Sequence, residues 1–397
     1  MRYLSTSLLT AVVAGGLAFP AAAQQTVKIG IINPYSGQFA DTAEQMDRAI
    51  RLYIKLNGDT VAGKKIVIIR KDNGGIAPDV SKRLAQELVV RDRVDILAGF
   101  ALTPNALAVG DVSAQAKKFM VVMNAATSII TTKSPYMART SMTTPMLNDA
   151  LGKWAAKQGM KNVYTLATDY GPGHDGEKAF HEGFKAGGGN IVGAARTPVA
   201  NPDFSPFLQR AKDANPDGIY VWVPGGAMPA AIGKAIVERN IDKEKVTIMG
   251  QDELTGENAI KSMGPAALGI VTSANYDYNL PNERNKEFVA AFLKEYGRNP
   301  DIFSIGGWDG MHLIYEALKK TGGKTDGQSL IDAAKGMKWE SPRGPMMIDP
   351  ETRDVVQTIY IRRVMKVGDG FRNVEIARFE NVKDPVKEAM KKAGTLK

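Results

Sequence analysis

The 397-residue sequence contains no cysteine. That absence excludes disulfides, thiol nucleophiles, iron–sulfur clusters and cysteine-ligated zinc. Stability must come from burial of the core instead. Histidine is scarce as well, with only His174, His181 and His312. His174 and His181 are seven residues apart but have no third ligand and no H-E-x-x-H spacing, so they read as histidines flanking a turn. No G-x-S-x-G elbow is present, and nucleophilic catalysis has no evident machinery. Beyond the N-terminus, no window stays apolar and uncharged over the ~18 residues that a spanning helix needs, which predicts a soluble mature chain. Charge of one sign is not concentrated either. The formal net charge is +9, but basic pairs such as Lys117-Lys118 and Arg362-Arg363 are interleaved with Asp and Glu. Nucleic-acid binders gather positive charge on one face and add stacking aromatics. This sequence does neither, so no nucleic-acid partner is expected.

What is present begins with the pattern of a removable address. Arg2 supplies a short positive region, Leu8 to Leu17 an apolar stretch too short to span, and Ala21 and Ala23 an A-x-A site ahead of Gln24. Residues 1–23 are therefore expected to be a signal peptide, which marks an exported chain. Cleavage there leaves about 374 residues, enough for two large domains.

Strand-like and helix-like patterns then alternate. Val27 to Asn33 is a short apolar run, followed by the tight turn "NPYSGQFAD". Asp41 with Glu44 three residues later reads as a capping box. Met46, Ala49, Ile50, Tyr53 and Ile54 continue a helical stripe until Asn57-Gly58 stops it. "KIVIIRK" is a second strand, Val80, Leu84 and Leu88 mark a second helix, and "VDILAG" is a third strand. Thr103-Pro104 opens the next helix, and "KFMVVMN" is a fourth strand. A second series starts near Thr144-Pro145, with strands "NVYTLA", "NIVGAAR", "GIYVWV" and "VTIMG". Helices follow over "NKEFVAAFLKEYG" and from Trp308 to Lys320. "GPMMIDPETRDVVQTIYIRRV" reads as strand with a turn at Asp349-Pro350. This βαβα order predicts an α/β fold, with parallel-rich sheets covered on both faces and two lobes in series.

Two glycine motifs invite a cofactor and do not hold one. "GPGHDG", Gly171 to Gly176, satisfies G-x-G-x-x-G, but Thr168, Asp169 and Tyr170 intervene after the strand. The next strand ends at Arg196, where an NAD site has an acid, although an arginine there suits NADP. The motif reads as a glycine-rich turn at a cleft. "GGKT", Gly322 to Thr325, follows a helix and lacks the upstream glycine of a phosphate loop. No cofactor is expected. Asp252 and Glu253 follow a strand end, but adjacent side chains diverge, so they suit a glycosidase pair poorly. One of them serves better as a single charge aimed into a cleft, the alternative being a solvated loop pair.

Three turns, Asn33–Gly37, Gly99–Ala106 and Asn124–Ser128, each follow a strand. They should lie at the carboxyl edge of the sheet, where open α/β folds bind ligands. Helix N-termini there present free N–H donors that suit a carboxylate.

Taken in order, "IGIINPYSGQFADTAEQMDRAIRLYIKLNG", "VAGKKIVIIRKDNGG", "ILAGFALTPNALAV", "NAATSIIT", "TDYGPGHDG" and "GPMMIDPETRD" resemble the periplasmic ligand-binding proteins of the branched-chain amino acid type. Those receptors deliver solute to ABC importers. The resemblance spans essentially the whole mature chain. It implies the type I fold: two Rossmann-like lobes joined by three crossovers, near Thr140–Pro145, Thr272–Tyr276 and Arg343–Asp349, with a ligand cleft that closes by hinge motion. Lobe 1 would comprise 24–143 and 274–346, and lobe 2 144–273 and 347–390.

The same resemblance implies the site. Thr103 would hold a carboxylate, within a turn that includes Ala101 and Leu102, and Ala125, Ala126 and Thr127 would supply further donors. Tyr170 would close over the ligand, and Trp222 lies near another pocket aromatic. Asp252, with Glu253 one residue away, would pair an α-ammonium, and Tyr35 and Phe100 would wall the side-chain end. The family implies a periplasmic monomer that is not an enzyme and partners an inner-membrane ABC permease. The expected solute is a branched-chain or other hydrophobic amino acid. The alternatives are an aromatic carboxylate of benzoate or phenylacetate type, or a sensory-receptor role. Three departures bear on the solute. Pro104 removes an N–H beside Thr103, the acid is Asp where amino-acid binders have a longer Glu, and Phe100 and Trp222 add aromatic surface.

Overall fold

Continuous apolar runs, rather than alternating ones, set the first sheet. Val27, Ile29, Ile31 and Ile32 are all fully buried, as expected of parallel strands covered on both faces. A computed structural model describes residues 25–199 and 202–396; the expected signal peptide lies outside them. The first sheet contains β1 (Thr26–Asn33), β2 (Thr60–Val61), β3 (Lys64–Asp72), β4 (Ile96–Gly99), β5 (Phe119–Val122) and β6 (Met137–Arg139), in the order β2-β3-β1-β4-β5-β6. All pairings are parallel except β2 with β3. Helices α1 (Ala40–Asn57), α2 (Pro78–Val90) and α3 (Thr103–Ala116) cover its faces.

Helix α1 starts two residues earlier than its sequence suggests. Phe39 is its N-cap, without a side-chain cap. Buried Phe39 anchors the turn, and its carbonyl accepts from the Thr42 hydroxyl at 2.7 Å and the Thr42 N–H at 3.1 Å. Asp41 therefore does not cap. It sits in the first helical turn, where its carboxylate is favourable to the helix dipole, and accepts from Gln45 at 3.0 Å.

The second sheet has nine strands. Its parallel part is β7 (Asn162–Thr168), β8 (Asn190–Thr197), β9 (Gly218–Trp222), β10 (Thr247–Gln251) and β11 (Val271–Ala274). Antiparallel strands β12 (Lys338–Ser341), β13 (Gly344–Ile348), β14 (Val355–Val367) and β15 (Gly370–Val382) extend it. Helices α4 (Thr144–Lys157), α5 (Gly171–Ala186), α6 (Ser205–Asp213), α7 (Met228–Glu238) and α8 (Glu257–Met263) pack on this lobe. Helices α9 (Glu283–Tyr296), α10 (Ile302–Lys320) and α11 (Gly327–Ala334) return to the first lobe, where the Tyr53 ring of α1 meets Trp308 at 4.9 Å and Tyr315 at 5.0 Å. The chain ends its described helices with α12 (Pro385–Lys392).

The expected lobe boundary between residues 346 and 347 falls inside β13, which pairs with β14 of the second sheet and with β12 on its other side, because the short turn after Ile348 folds the chain back on itself. Helix α12 packs against α4 of the second lobe and also reaches the first, where Lys387 is bonded to Thr131. A buried ion network joins them: Lys387 Nζ lies 2.6 Å from Asp354, which also pairs Arg139 at 2.7 Å.

Candidate ligand-binding site

Two connected cavities lie between the lobes, at the carboxyl ends of β1, β4, β5, β9 and β10. The inner one, of about 40 Å³, includes Thr103, Asn124, Ala126, Thr144, Tyr170 and Trp222 in its lining. The outer one, of about 400 Å³, extends past Asp252, Tyr276 and Arg362. Thr42, Gly225, Glu253 and Phe303 line both. The lobes also touch directly, where Asn258 Nδ2 donates to Asp41 at 3.2 Å.

The turn from Gly99 to Thr103 owes its shape to two successive left-handed residues, Gly99 (φ 102°) and Phe100 (φ 66°). Positive φ at a bulky residue is strained and persists only when surroundings enforce it. Here Phe100 N–H donates to the Ile32 carbonyl at 3.0 Å, and Asn33 Oδ1 accepts from Ala101 N–H at 3.1 Å. Asn124 Nδ2 closes the brace on the Ala101 carbonyl at 2.8 Å. The reversal sends the Phe100 ring into the first-lobe core, fully buried among Ile32, Leu97 and Val122. It leaves Ala101, Leu102 and Thr103 on the inner pocket. Thr103 is the first residue of α3, where backbone N–H groups lack helical partners.

The Asn124–Ser128 turn is held from behind. Buried Arg139 donates to the carbonyls of Ala125 at 3.0 Å and Thr127 at 2.9 Å. Thr144 N–H donates to the Ala126 carbonyl at 2.8 Å. Of the three expected residues only Ala126 reaches the pocket; Ala125 and Thr127 lie behind it.

From the second lobe, α5 brings Tyr170 and lets Trp222 in. A Cβ added at Gly176 would lie 2.5 Å from Trp222 Cδ1, and one at Gly173 3.3 Å from Trp222 Cε3. Two of the three G-x-G-x-x-G glycines, Gly173 and Gly176, thus clear space for the indole. The Tyr170 and Trp222 rings meet at 5.5 Å, their planes inclined to each other.

The two acids separate. Glu253 faces both cavities, its Oε2 accepting from Gly225 N–H at 3.1 Å. Asp252 reaches only the outer one and accepts from Glu253 N–H at 2.9 Å. Burial, with the neighbouring Asp252 charge, pushes Glu253 up to about 8. Burial pushes Asp252 up to about 6 against the opposing pull of Arg362. Burial raises the Tyr170 phenol, which stays a neutral donor.

Tyr35 packs against the first-lobe core and lines neither cavity. Sequence reasoning missed Phe39, Asn124, Thr144, Gln251 and Phe303, which do line the inner one. Three of its buried polar atoms make no hydrogen bond among the described residues: Asn124 Oδ1, Thr144 Oγ1 and Trp222 Nε1. Buried polar atoms normally have partners, so these are the atoms a ligand would satisfy. No group of three or more potential metal ligands occurs among the described residues. His181 bonds Thr165 at 3.1 Å and His174 bonds Asp169 at 2.7 Å.

Comparison with known proteins adds three relatives. The family model for periplasmic binding proteins matches residues 26–369. A Leu/Ile/Val-binding protein homolog 6 from Brucella melitensis biotype 1 is 40% identical over 380 residues, 95% of this chain and 97% of the relative. A solute binding protein of an ABC transporter from Rhodopseudomonas palustris BisB5, solved in complex with 3,4-dihydroxybenzoic acid, is 54% identical with a TM-score of 0.88, over 91% of this chain and 99% of that one. A counterpart from Rhodopseudomonas palustris HaA2, solved with p-hydroxybenzoic acid, is 38% identical with the same TM-score and the same coverage.

Proposed function

This chain belongs to the periplasmic binding protein family and is a solute-binding protein of the ABC-transporter type, and we propose that the solute it captures is a small aromatic carboxylate. The family and fold are those of substrate-binding proteins, which are not enzymes. The family implies a periplasmic location and a permease as partner.

One observation carries the choice of solute. Trp222 Nε1 and Thr144 Oγ1 are buried donors without partners, on a pocket walled by Tyr170, Trp222 and Phe303. Two free donors beside aromatic faces suit a carboxylate attached to a ring. Thr103 adds a second hydroxyl. The acid on this pocket, Glu253, is pushed up to about 8 by desolvation and the neighbouring Asp252 charge, which favours its protonated form. In that form it donates a hydrogen bond to an anion and offers no ready charge to an ammonium. The inner cavity takes the carboxylate head and the outer one the ring, whose volume falls in the range of roughly 300–1,000 Å³ usual for small-molecule sites. The Rhodopseudomonas palustris proteins, with their bound hydroxybenzoic acids, support the same class.

A second reading keeps the transport role with a hydrophobic amino acid as solute. Its support is the position of Glu253 itself, an acid on the pocket that would ionise opposite an α-ammonium, together with the name of the Brucella relative.

A thermal-shift panel on unfolded-and-refolded protein separates the two. Ligand that binds only the native state raises the melting temperature by mass action. Benzoate-type acids should raise it while L-leucine, L-isoleucine and L-valine do not. A shift with the amino acids alone would replace the aromatic assignment with the second reading.

A further inference from the structure

The outer cavity contains a polar constellation that the inner pocket does not use. Asp252 directly follows β10, while Arg362 and Asn373 stand on the paired strands β14 and β15. All three are buried, at 0%, 4% and 6% exposure, and all three line this cavity. Each is fixed by its other atoms. Asp252 Oδ1 accepts from Glu253 N–H at 2.9 Å. Arg362 Nη1 donates to the Tyr276 carbonyl at 3.0 Å and to Asp277 at 3.1 Å. Asn373 Nδ2 donates to the Thr255 carbonyl at 2.7 Å. What remains is one free atom apiece: Asp252 Oδ2, Arg362 Nε and Asn373 Oδ1, none with a partner among the described residues.

Two acceptors and one donor suit hydroxyl groups. One hydroxyl donates one hydrogen bond and accepts another, so it satisfies one acceptor and the guanidinium N–H together, and a second hydroxyl or a water satisfies the remaining acceptor. An apolar ring edge would leave all three atoms buried and unpaired, which costs binding energy for each. Resting on the aromatic-carboxylate reading above, we propose that Asp252, Arg362 and Asn373 form a hydroxyl-recognising subsite, and that the protein selects ring-hydroxylated aromatic acids over the unsubstituted acid. Glu253, which borders both cavities, marks where the ring passes from the carboxylate end to the hydroxyl end.

Titration of the unfolded-and-refolded chain with benzoate, 4-hydroxybenzoate and 3,4-dihydroxybenzoate tests this. The expected result is that at least one hydroxylated acid binds about tenfold or more tightly than benzoate, the effect of one hydrogen bond to a charged buried group. Asn373→Ala and Asp252→Asn should each reduce that ratio to about threefold or less, because each removes one acceptor. Equal wild-type affinities for the three acids would overturn the subsite, with water alone completing the three atoms. The wild-type ratio decides the matter even where a variant fails to fold. If none of the acids binds, the solute class fails and the subsite falls with it; if all bind alike, only the subsite fails.

Discussion

The Trp222 indole lies 5.5 Å from the Tyr170 ring with the planes inclined by 59°, and its Nε1 is buried without a partner. The indole therefore gives the pocket both a wall and a donor. Trp222→Phe retains the wall and removes the donor. It should weaken an aromatic carboxylate by about tenfold or more, the value of a hydrogen bond to an ionised group, as read by calorimetric titration. An unchanged affinity would take Nε1 out of the site.

Gly176 sets where that indole sits. A methyl group there would stand 2.5 Å from Trp222 Cδ1, so Gly176→Ala must push the ring toward the cavity. Overpacking of this kind costs about 1–3 kcal/mol. Urea denaturation should show that loss of stability, and ligand affinity should fall with it. A variant with wild-type stability and affinity would contradict the close packing of α5 on Trp222.

The raised acid makes stability depend on pH. Glu253 in the folded protein is pushed up to about 8, above its value in the unfolded chain, about 4.3. The folded state therefore binds the extra proton, and its contribution is complete below about pH 4.3 and is lost as pH rises through about 8. Glu253→Gln removes this dependence. Its melting temperature relative to wild type should rise progressively between pH 5 and 9. A pH-independent difference would show that Glu253 is not the group titrating.

Asp354 lies between two buried cations, 2.7 Å from Arg139 Nη2 and 2.6 Å from Lys387 Nζ. Breaking a buried ion pair by removing one partner costs about 3–5 kcal/mol, since it strands the remaining charge. Asp354→Asn should lower unfolding free energy by about that amount. It should also loosen the Asn124–Ser128 turn, whose carbonyls depend on Arg139. Denaturation curves measure the first effect and hydrogen exchange at the turn the second.

Much of this architecture was legible in the chain's pattern, because parallel strands buried on both faces leave unbroken apolar runs and Pro and Gly punctuate the helices between them. Strand β15 was not: Asn373 is its one buried residue and the others are exposed or half-buried, a weak signal next to the apolar runs. At the site, Thr103, Tyr170, Trp222 and Glu253 stand at strand ends or helix starts, where topology brings turns together. Phe100 sits in the same turn as Thr103 but points the other way, and only the left-handed backbone reveals it. Thr144 and Phe303 reach the pocket from helix starts far along the chain, and nothing local in their segments marks them. The distinction between Asp252 and Glu253 depends on which way two adjacent side chains turn after β10, which no spacing rule encodes.

The most direct test of the account is a calorimetric titration of unfolded-and-refolded protein, residues 24–397, with 4-hydroxybenzoate and, separately, with L-leucine. The account predicts one site for 4-hydroxybenzoate with micromolar or tighter affinity, about −8 kcal/mol or below, and no heat of binding for L-leucine. Saturable binding of L-leucine with none of 4-hydroxybenzoate would contradict it.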